Sequence, residues 1–508
     1  MVKKNLYVVC IFFIFKSLSI SCFANPKIKK RFIVRYKTQK QVLGNKRVKS
    51  IQRTIVEGKN FQDVKNHFPL GQQNIESIEE DTILKATLVP GDSGSGDPLY
   101  FEQWHYFDND GGIDLPLAWN ISTGDSGIVV AVLDTGITVH RDLRGNVLPG
   151  ADLISDRGMS NDGDGRDTNA ADSGDWIAAG DPCYTGQNIN STWHGTHVAG
   201  TIAANSDNGV GITGVAWNVK ILPVRVLGKC GGYLSDIADG IRWAAGGSVN
   251  GLPLNNNKAD VINLSLGGAG VCGPTMQSAI DFAVSQGVVI VVAAGNESQN
   301  LNYTSYVPAT CRNVITVGAG NKYASKSHYS NYGDYVDVMA PGGDNNDLVL
   351  STINTGSTLP SSESYSGMMG TSMAAPHVAG VVALIKSVKK KLYPAQIENI
   401  LKETTKYFDC YEGCGRGLIS AHRALELATI TEPDSSYRGI EPISRFPSYD
   451  SGEQISVYRE ERGGMCGSVG FIKGPRPPKG GKGGFVVSLL FGILFALSLF
   501  GLSQKKSN

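Results

Sequence analysis

The chain lacks a charge of one sign to speak of: its 508 residues carry 47 lysines and arginines against 46 aspartates and glutamates. Without a global basic field it has no electrostatic footprint for nucleic acid. It also lacks any paired Cys-x-x-Cys, which excludes the usual thiolate zinc sites. No phosphate-cradling or dinucleotide-binding glycine loop stands at a strand–helix junction, and no internal repeat is evident. His194 and His197 are three apart with Gly195 between them, so the His-Glu-x-x-His zinc pattern is missing too. What the chain has in quantity is glycine, 62 residues, beside a hydrophobic content of 41%. That balance suits a loop-rich globular enzyme rather than a disordered chain.

The first 24 residues read as an export signal. Lys3 and Lys4 precede an apolar run from Leu6 to Phe15, and Cys22-Phe23-Ala24 forms a small-residue cleavage site. Lys16 interrupts the run well short of the roughly 20 apolar residues that a membrane span needs. Export implies an oxidising compartment, so the remaining cysteines read as candidate disulfides. Those are Cys183, Cys230, Cys272, Cys311, Cys410, Cys414 and an odd one, Cys466.

Residues 25–90 begin basic and hold the alternating stretch Arg31 to Tyr36, a strand pattern. The acidic stretch Ile75 to Asp81 lies towards their end, and the Gly/Ser/Asp-rich segment 91–97 reads as an exposed processing loop. In the long region 97–430, apolar runs at 127–133, 260–266 and 288–294 read as buried strands. Residues 233–245, 275–286 and 372–388 read as helices. Alternation of this kind predicts an α/β fold of three layers around a mostly parallel sheet. Residues 431–484 are rich in Pro, Gly, Ser and charge, a linker composition. Residues 485–508 are an apolar stretch with a basic end, long enough to span a bilayer.

Three short blocks carry the chemistry. Asp134 follows an apolar run in Val132-Leu133-Asp134-Thr135-Gly136. His194 opens His194-Gly195-Thr196-His197, and Ser372 stands in Gly370-Thr371-Ser372-Met373-Ala374. Each residue alone has an ordinary structural reading as a turn, a surface histidine or a helix cap. Acid, base and hydroxyl together are the parts of an activated serine nucleophile. Ser372 lacks the Gly-x-Ser-x-Gly setting, and the order Asp, His, Ser is wrong for an α/β-hydrolase. His197 and His377 read as packing residues.

In that order and those settings the blocks resemble the subtilisin-like serine peptidases across 97–430. The resemblance implies a nucleophile at Ser372, a general base at His194 and an orienting acid at Asp134. Asn296, in Ala293-Ala294-Gly295-Asn296, matches the family's oxyanion-hole asparagine. Substrate would lie between Ser265-Leu266-Gly267 and the wall Ala293, Ala294 and Gly295. These small uncharged walls suggest apolar or medium side chains, with the pocket base near 300–306. The resemblance extends more weakly to 25–90 as an inhibitory α+β propeptide, and it suggests the pairings 183–230, 272–311 and 410–414.

Calcium is the expected cofactor, at two places. Asp162, Asp164, Asp167, Asp172 and Asp175 crowd one glycine-containing loop, where a cation with oxygen ligands would relieve their repulsion; a solvated acidic loop is the alternative. Resemblance to thermitase-like members implies a second site from Asn205, Asn208, Val210 and Ile212 with Asp97 and Asp142. Asp207 stands where the family usually has asparagine, leaving that side-chain assignment open by one residue. The tail resembles the GlyGly-CTERM sorting signal, which implies a rhomboid-like processing protease; a permanent anchor is the alternative. Expected partners are protein and peptide substrates and the chain's own propeptide. The expected product is a monomer, secreted or at the cell surface.

Overall fold

The structure, a computed structural model, describes residues 30–36, 39–43, 46–50, 53–58, 61–67, 75–80, 97–181 and 186–436. The expected signal, most of the linker, the C-terminal tail, Cys183 and Cys466 lie outside the described residues. The chain divides into two compact units, Met1–Ala86 and Thr87–Asn508.

In the first unit the strand Lys30–Tyr36 pairs antiparallel with Arg53–Gly58 on one side and Ile75–Glu80 on the other. A hairpin, Gln39–Leu43 with Lys46–Ser50, and the helix Phe61–His67 complete the described part. The basic alternating run and the acidic stretch are thus neighbouring strands of one sheet.

The second unit is built on seven parallel strands. Across the sheet they run Val338–Pro341, Ile315–Gly320, Val289–Ala293, Val261–Leu264, Val129–Asp134, Lys220–Arg225 and Ala151–Asp152. Every pairing is parallel, as expected of strands covered on both faces and therefore apolar along their whole length. Alternate side chains feed two cores. Val130, Val132, Val289 and Val291 pack with the helices His194–Ala203 and Thr371–Val388. Ala131, Leu133, Ile290 and Val292 pack with Leu234–Ala244 and Pro274–Ser285. The result is the three-layer α/β arrangement expected from the sequence. Thr371–Val388 is long and apolar enough to cross a membrane, but 89% of it is buried, which makes it the core helix.

Strand order places the site. From Val129–Asp134 the chain runs out to the edge strand Ala151–Asp152, returns to place Lys220–Arg225 between the two, then crosses over and adds Val261–Leu264 on the opposite side. The carboxyl ends of strands at such a reversal leave a crevice. Asp134, Ser265 and Gly295 all stand at or just past strand ends there. Cys272–Cys311 and Cys410–Cys414 are bonded. Cys230 is also disulfide-bonded, while its expected partner Cys183 is outside the described residues.

Candidate active site

Asp134 ends its strand fully buried, and its Oδ1 lies 2.8 Å from His194 Nδ1 and accepts from the Thr135 N–H at 2.8 Å. A carboxylate can only accept, so Nδ1 carries the proton and Nε2 is left with its lone pair. His194 starts its helix behind Trp193, whose backbone is left-handed at φ 54° and whose indole N–H donates to Gly356 O at 2.7 Å. Such a conformation costs a non-glycine residue free energy and is held only by its surroundings. Gly195 approaches so closely that a Cβ there would meet Gly136 O at 2.2 Å, separating the acid from the base.

Burial opposes a charged His194, but the Asp134 charge and hydrogen bond, with lesser help from Asp175 and Asp172, hold its pKa above the ordinary value. That raises basicity without exposing the ring, which is 12% exposed.

Ser372 is the second residue of its helix, so its N–H has no intrahelical acceptor. Pro376, four residues on, has no N–H to give the Ser372 carbonyl. Ser265 Oγ donates to that carbonyl instead, at 2.7 Å, and is itself held by Asn263 Nδ2 at 2.9 Å. The Ser372 hydroxyl donates to Ser265 O at 3.2 Å, and His194 Nε2 has no partner among the described residues. The direct serine–histidine hydrogen bond implied by the resemblance is therefore not made in this conformation. Hydrogen bonds of this kind often tighten only once substrate is bound.

Asn296 follows the strand Val289–Ala293, and its Oδ1 accepts from the Thr371 N–H at 2.8 Å and the Thr371 hydroxyl at 2.9 Å. Asn296 Nδ2 and Ser372 N each lie 3.6 Å from the point where a Cβ on Gly370 would stand. Two donors thus face one small volume that glycine keeps open, with φ 153° and ψ 160° at Gly370, a conformation glycine adopts readily.

The structure pairs Asp134 with His194 and sets Asn296 against Thr371, the residue before Ser372. Two supports had no signal in the sequence. Asn331, buried, donates to Ala294 O at 2.9 Å and accepts from the N–H groups of Glu297 and Gln299. Thr371 Oγ1 accepts from the Gly295 N–H at 3.1 Å. Leu266 and Gly267 also border an apolar depression lined by Leu227, Leu234, Ile237, Met276 and Pro308. His197 and His377 are buried packing residues. Desolvation pushes them down to about 3 and about 4, and both bond to backbone carbonyls.

The five clustered aspartates, expected to share one calcium, are held by different groups. Asp162 pairs with the buried Arg225, which also holds Asp152. Asp172 accepts from the Thr135 hydroxyl at 2.6 Å, and Asp175 from Thr192 N–H and hydroxyl. Asp167 accepts from the Asn169 N–H, and Asp164 has like charges for neighbours. Among the described residues no three His, Cys, Asp or Glu side chains gather closely enough to hold a metal. Here the carboxylates take separate partners.

The second set fits a cation better. Asp97 and Asp142 are buried, desolvation raises the pKa of both, the Asp97 charge adds to the rise at Asp142, and neither has an ion pair among the described residues. Burial pushes Asp142 up to about 6. The loop wraps both, with N–H groups of Asp207 and Asn208 on Asp97, and Asn208 Nδ2 and the Ile212 N–H on Asp142. Asn205 turns its side chain elsewhere, to Asn146 and Arg144.

Residues 125–427 match the family model described as the subtilase family. The chain belongs to that family. It is 51% identical over 359 residues to an extracellular protease of Xanthomonas campestris, covering 70% of this chain and 60% of that protein. It is 45% identical to an extracellular basic protease of Dichelobacter nodosus, covering 69% and 58%. The chain thus spans about 60% of the length of these curated relatives. Among solved structures, proteases from Pseudoalteromonas arctica share 54% identity at a TM-score of 0.64, covering 65% of this chain and 98% of that one.

Proposed function

We propose that this chain is a secreted, calcium-stabilised serine endopeptidase made as a zymogen. The observation that supports the reading is the buried Asp134–His194 pair, taken with the Ser372 N–H and Asn296 Nδ2 on either side of the space at Gly370. The Ser372 hydroxyl turns from Ser265 O towards His194 Nε2 and attacks the scissile carbonyl carbon as Nε2 takes its proton. The carbonyl oxygen becomes an oxyanion facing the Ser372 N–H and Asn296 Nδ2. Collapse breaks the C–N bond, and His194 gives the proton to the leaving amine. Water then repeats the cycle on the acyl-enzyme, with His194 as base. Asp134 keeps its proton count and holds the tautomer.

An extended substrate lies between Ser265-Leu266-Gly267 and Ala293-Ala294-Gly295 as an added strand, so backbone pairing supplies affinity and pockets supply selection. The apolar depression beside Leu266 takes an apolar side chain. Calcium, when bound, would neutralise Asp97 and Asp142, with Asn208 and the Val210 and Ile212 carbonyls as further oxygen ligands. Residues 25–90 would serve as inhibitory propeptide and 485–508 as a removable tail or anchor, bracketing a monomeric peptidase.

The test uses the full chain in a protease-free host. Ser372→Ala is expected to lower turnover by about 10⁶, the magnitude for subtilisin's own serine, and to leave the chain uncut near 86–98. Asn296→Ala is expected to cost about 10²–10³, again subtilisin's value. A Ser372→Ala chain that still hydrolyses casein, or is cut at the same bond, refutes the reading.

A further inference from the structure

The walls Gly267 and Gly295 end in no side chain, and such a slot would ordinarily admit a large substrate group. Here it is filled from within. A Cβ at Gly267 would stand 2.6 Å from Tyr306 Cε1, and one at Gly295 would stand 2.8 Å from the same atom. The edge of the Tyr306 ring therefore lies against both walls; Gly267 must be glycine for it to fit, and at Gly295 Asn331 Nδ2, 2.2 Å from a Cβ, excludes a side chain as well. Tyr306 is 6% exposed.

Three constraints keep the ring there. Its backbone is paired, Tyr306 opposite Ala269 in an antiparallel bridge beside Gly268 and Val307. Thr310 closes the turn behind it, its N–H donating to Tyr306 O at 2.8 Å and its Oγ1 accepting from the Tyr306 N–H at 3.2 Å. At the far end the phenol donates to Glu297 Oε1 at 2.9 Å. Glu297 is itself held, since its Oε2 accepts from the Asn296 N–H at 2.9 Å and from Asn331 Nδ2 at 3.0 Å. Rotating the ring out would break the Glu297 bond and empty a buried slot, so the closed form is the stable one.

We propose that Tyr306 is a specificity-determining residue: its ring shortens the pocket for the substrate residue on the acyl side of the scissile bond, so that small side chains are preferred. This rests on the peptidase reading and deepens it, replacing the apolar-or-medium preference drawn from the walls alone. The wall residues are small, but the space between them is already taken.

The experiment compares kcat/KM for peptide anilides that differ only at that residue, alanine against phenylalanine, with enzyme concentration set by active-site titration. The parent is expected to prefer alanine at least tenfold. Tyr306→Gly and the more conservative Tyr306→Leu are expected to shift the ratio towards phenylalanine, by about 10²-fold for glycine. Tyr306→Phe keeps the ring and is expected to keep the parent's preference. A parent that prefers phenylalanine overturns the inference, even if no variant folds. So does an unchanged ratio in folded Gly and Leu variants. If the parent cleaves no peptide and Ser372 is not labelled by a fluorophosphonate, the peptidase reading falls as well; cleavage with the wrong preference sinks only the role of Tyr306.

Discussion

Two acidic regions of the same unit look alike in sequence and behave oppositely in the fold. The loop around 162–175 holds five aspartates, yet they are dispersed among Arg225, Thr135, Thr192 and local N–H groups. The region joining Asp97, Asp142 and the 205–212 loop holds fewer carboxylates, yet two of them are buried together without a cationic partner. Density of carboxylates along the chain is therefore a poor guide to where negative charge is left without a counter-charge. What matters is whether burial leaves negative charge uncompensated, and that depends on residues far away in sequence.

The comparison is broken most severely at Arg225. Arg225→Met leaves Asp152 buried without its counter-charge, and urea unfolding at pH 8 is expected to show a loss of about 3–5 kcal/mol. Burial already pushes Asp152 up to about 7. A carboxyl whose folded pKa is raised costs stability above that pKa and less below it, so the loss should shrink at pH 5.5. A variant as stable as the parent at pH 8 would mean that this loop has no internal cation after all.

The next test is chelation. With calcium about 100-fold above its Kd, excess EDTA is expected to remove about 2.7 kcal/mol from the parent. Asp142→Asn should show no response to EDTA, and in EDTA it should equal or exceed the parent in thermal half-life, because Asp97 then has no buried like charge beside it. An EDTA response retained by Asp142→Asn would move the calcium elsewhere. The smallest effect is expected at Asp164, exposed among like charges. Asp164→Asn should change stability by less than about 0.5 kcal/mol and leave the EDTA response intact; loss of that response would place the metal in this loop.

Much of the frame was legible because its signals are local. Val129–Asp134, Val261–Leu264 and Val289–Ala293 read as strands since a doubly covered parallel strand is apolar throughout. The start of the helix at Thr371 lies within a residue of expectation, marked by the small residues a sharp entry needs. The order of Asp134, His194 and Ser372 identified the family motif. The supports were not legible. Pro376 frees the Ser372 carbonyl for Ser265, more than a hundred residues earlier. Asn331 reaches Ala294 from another loop, and Tyr306 fills a slot that two glycines seemed to leave open.

The sequence by itself determined the layered α/β architecture and the identities of Asp134, His194, Ser372 and Asn296, because periodicity and motif are properties of neighbouring residues. Tertiary structure alone decided which carboxylates lie beside a counter-charge, where the serine hydroxyl rests and which ring packs against Gly267 and Gly295. Those depend on what burial brings within a few ångströms, and desolvation and steric exclusion act through space rather than along the chain.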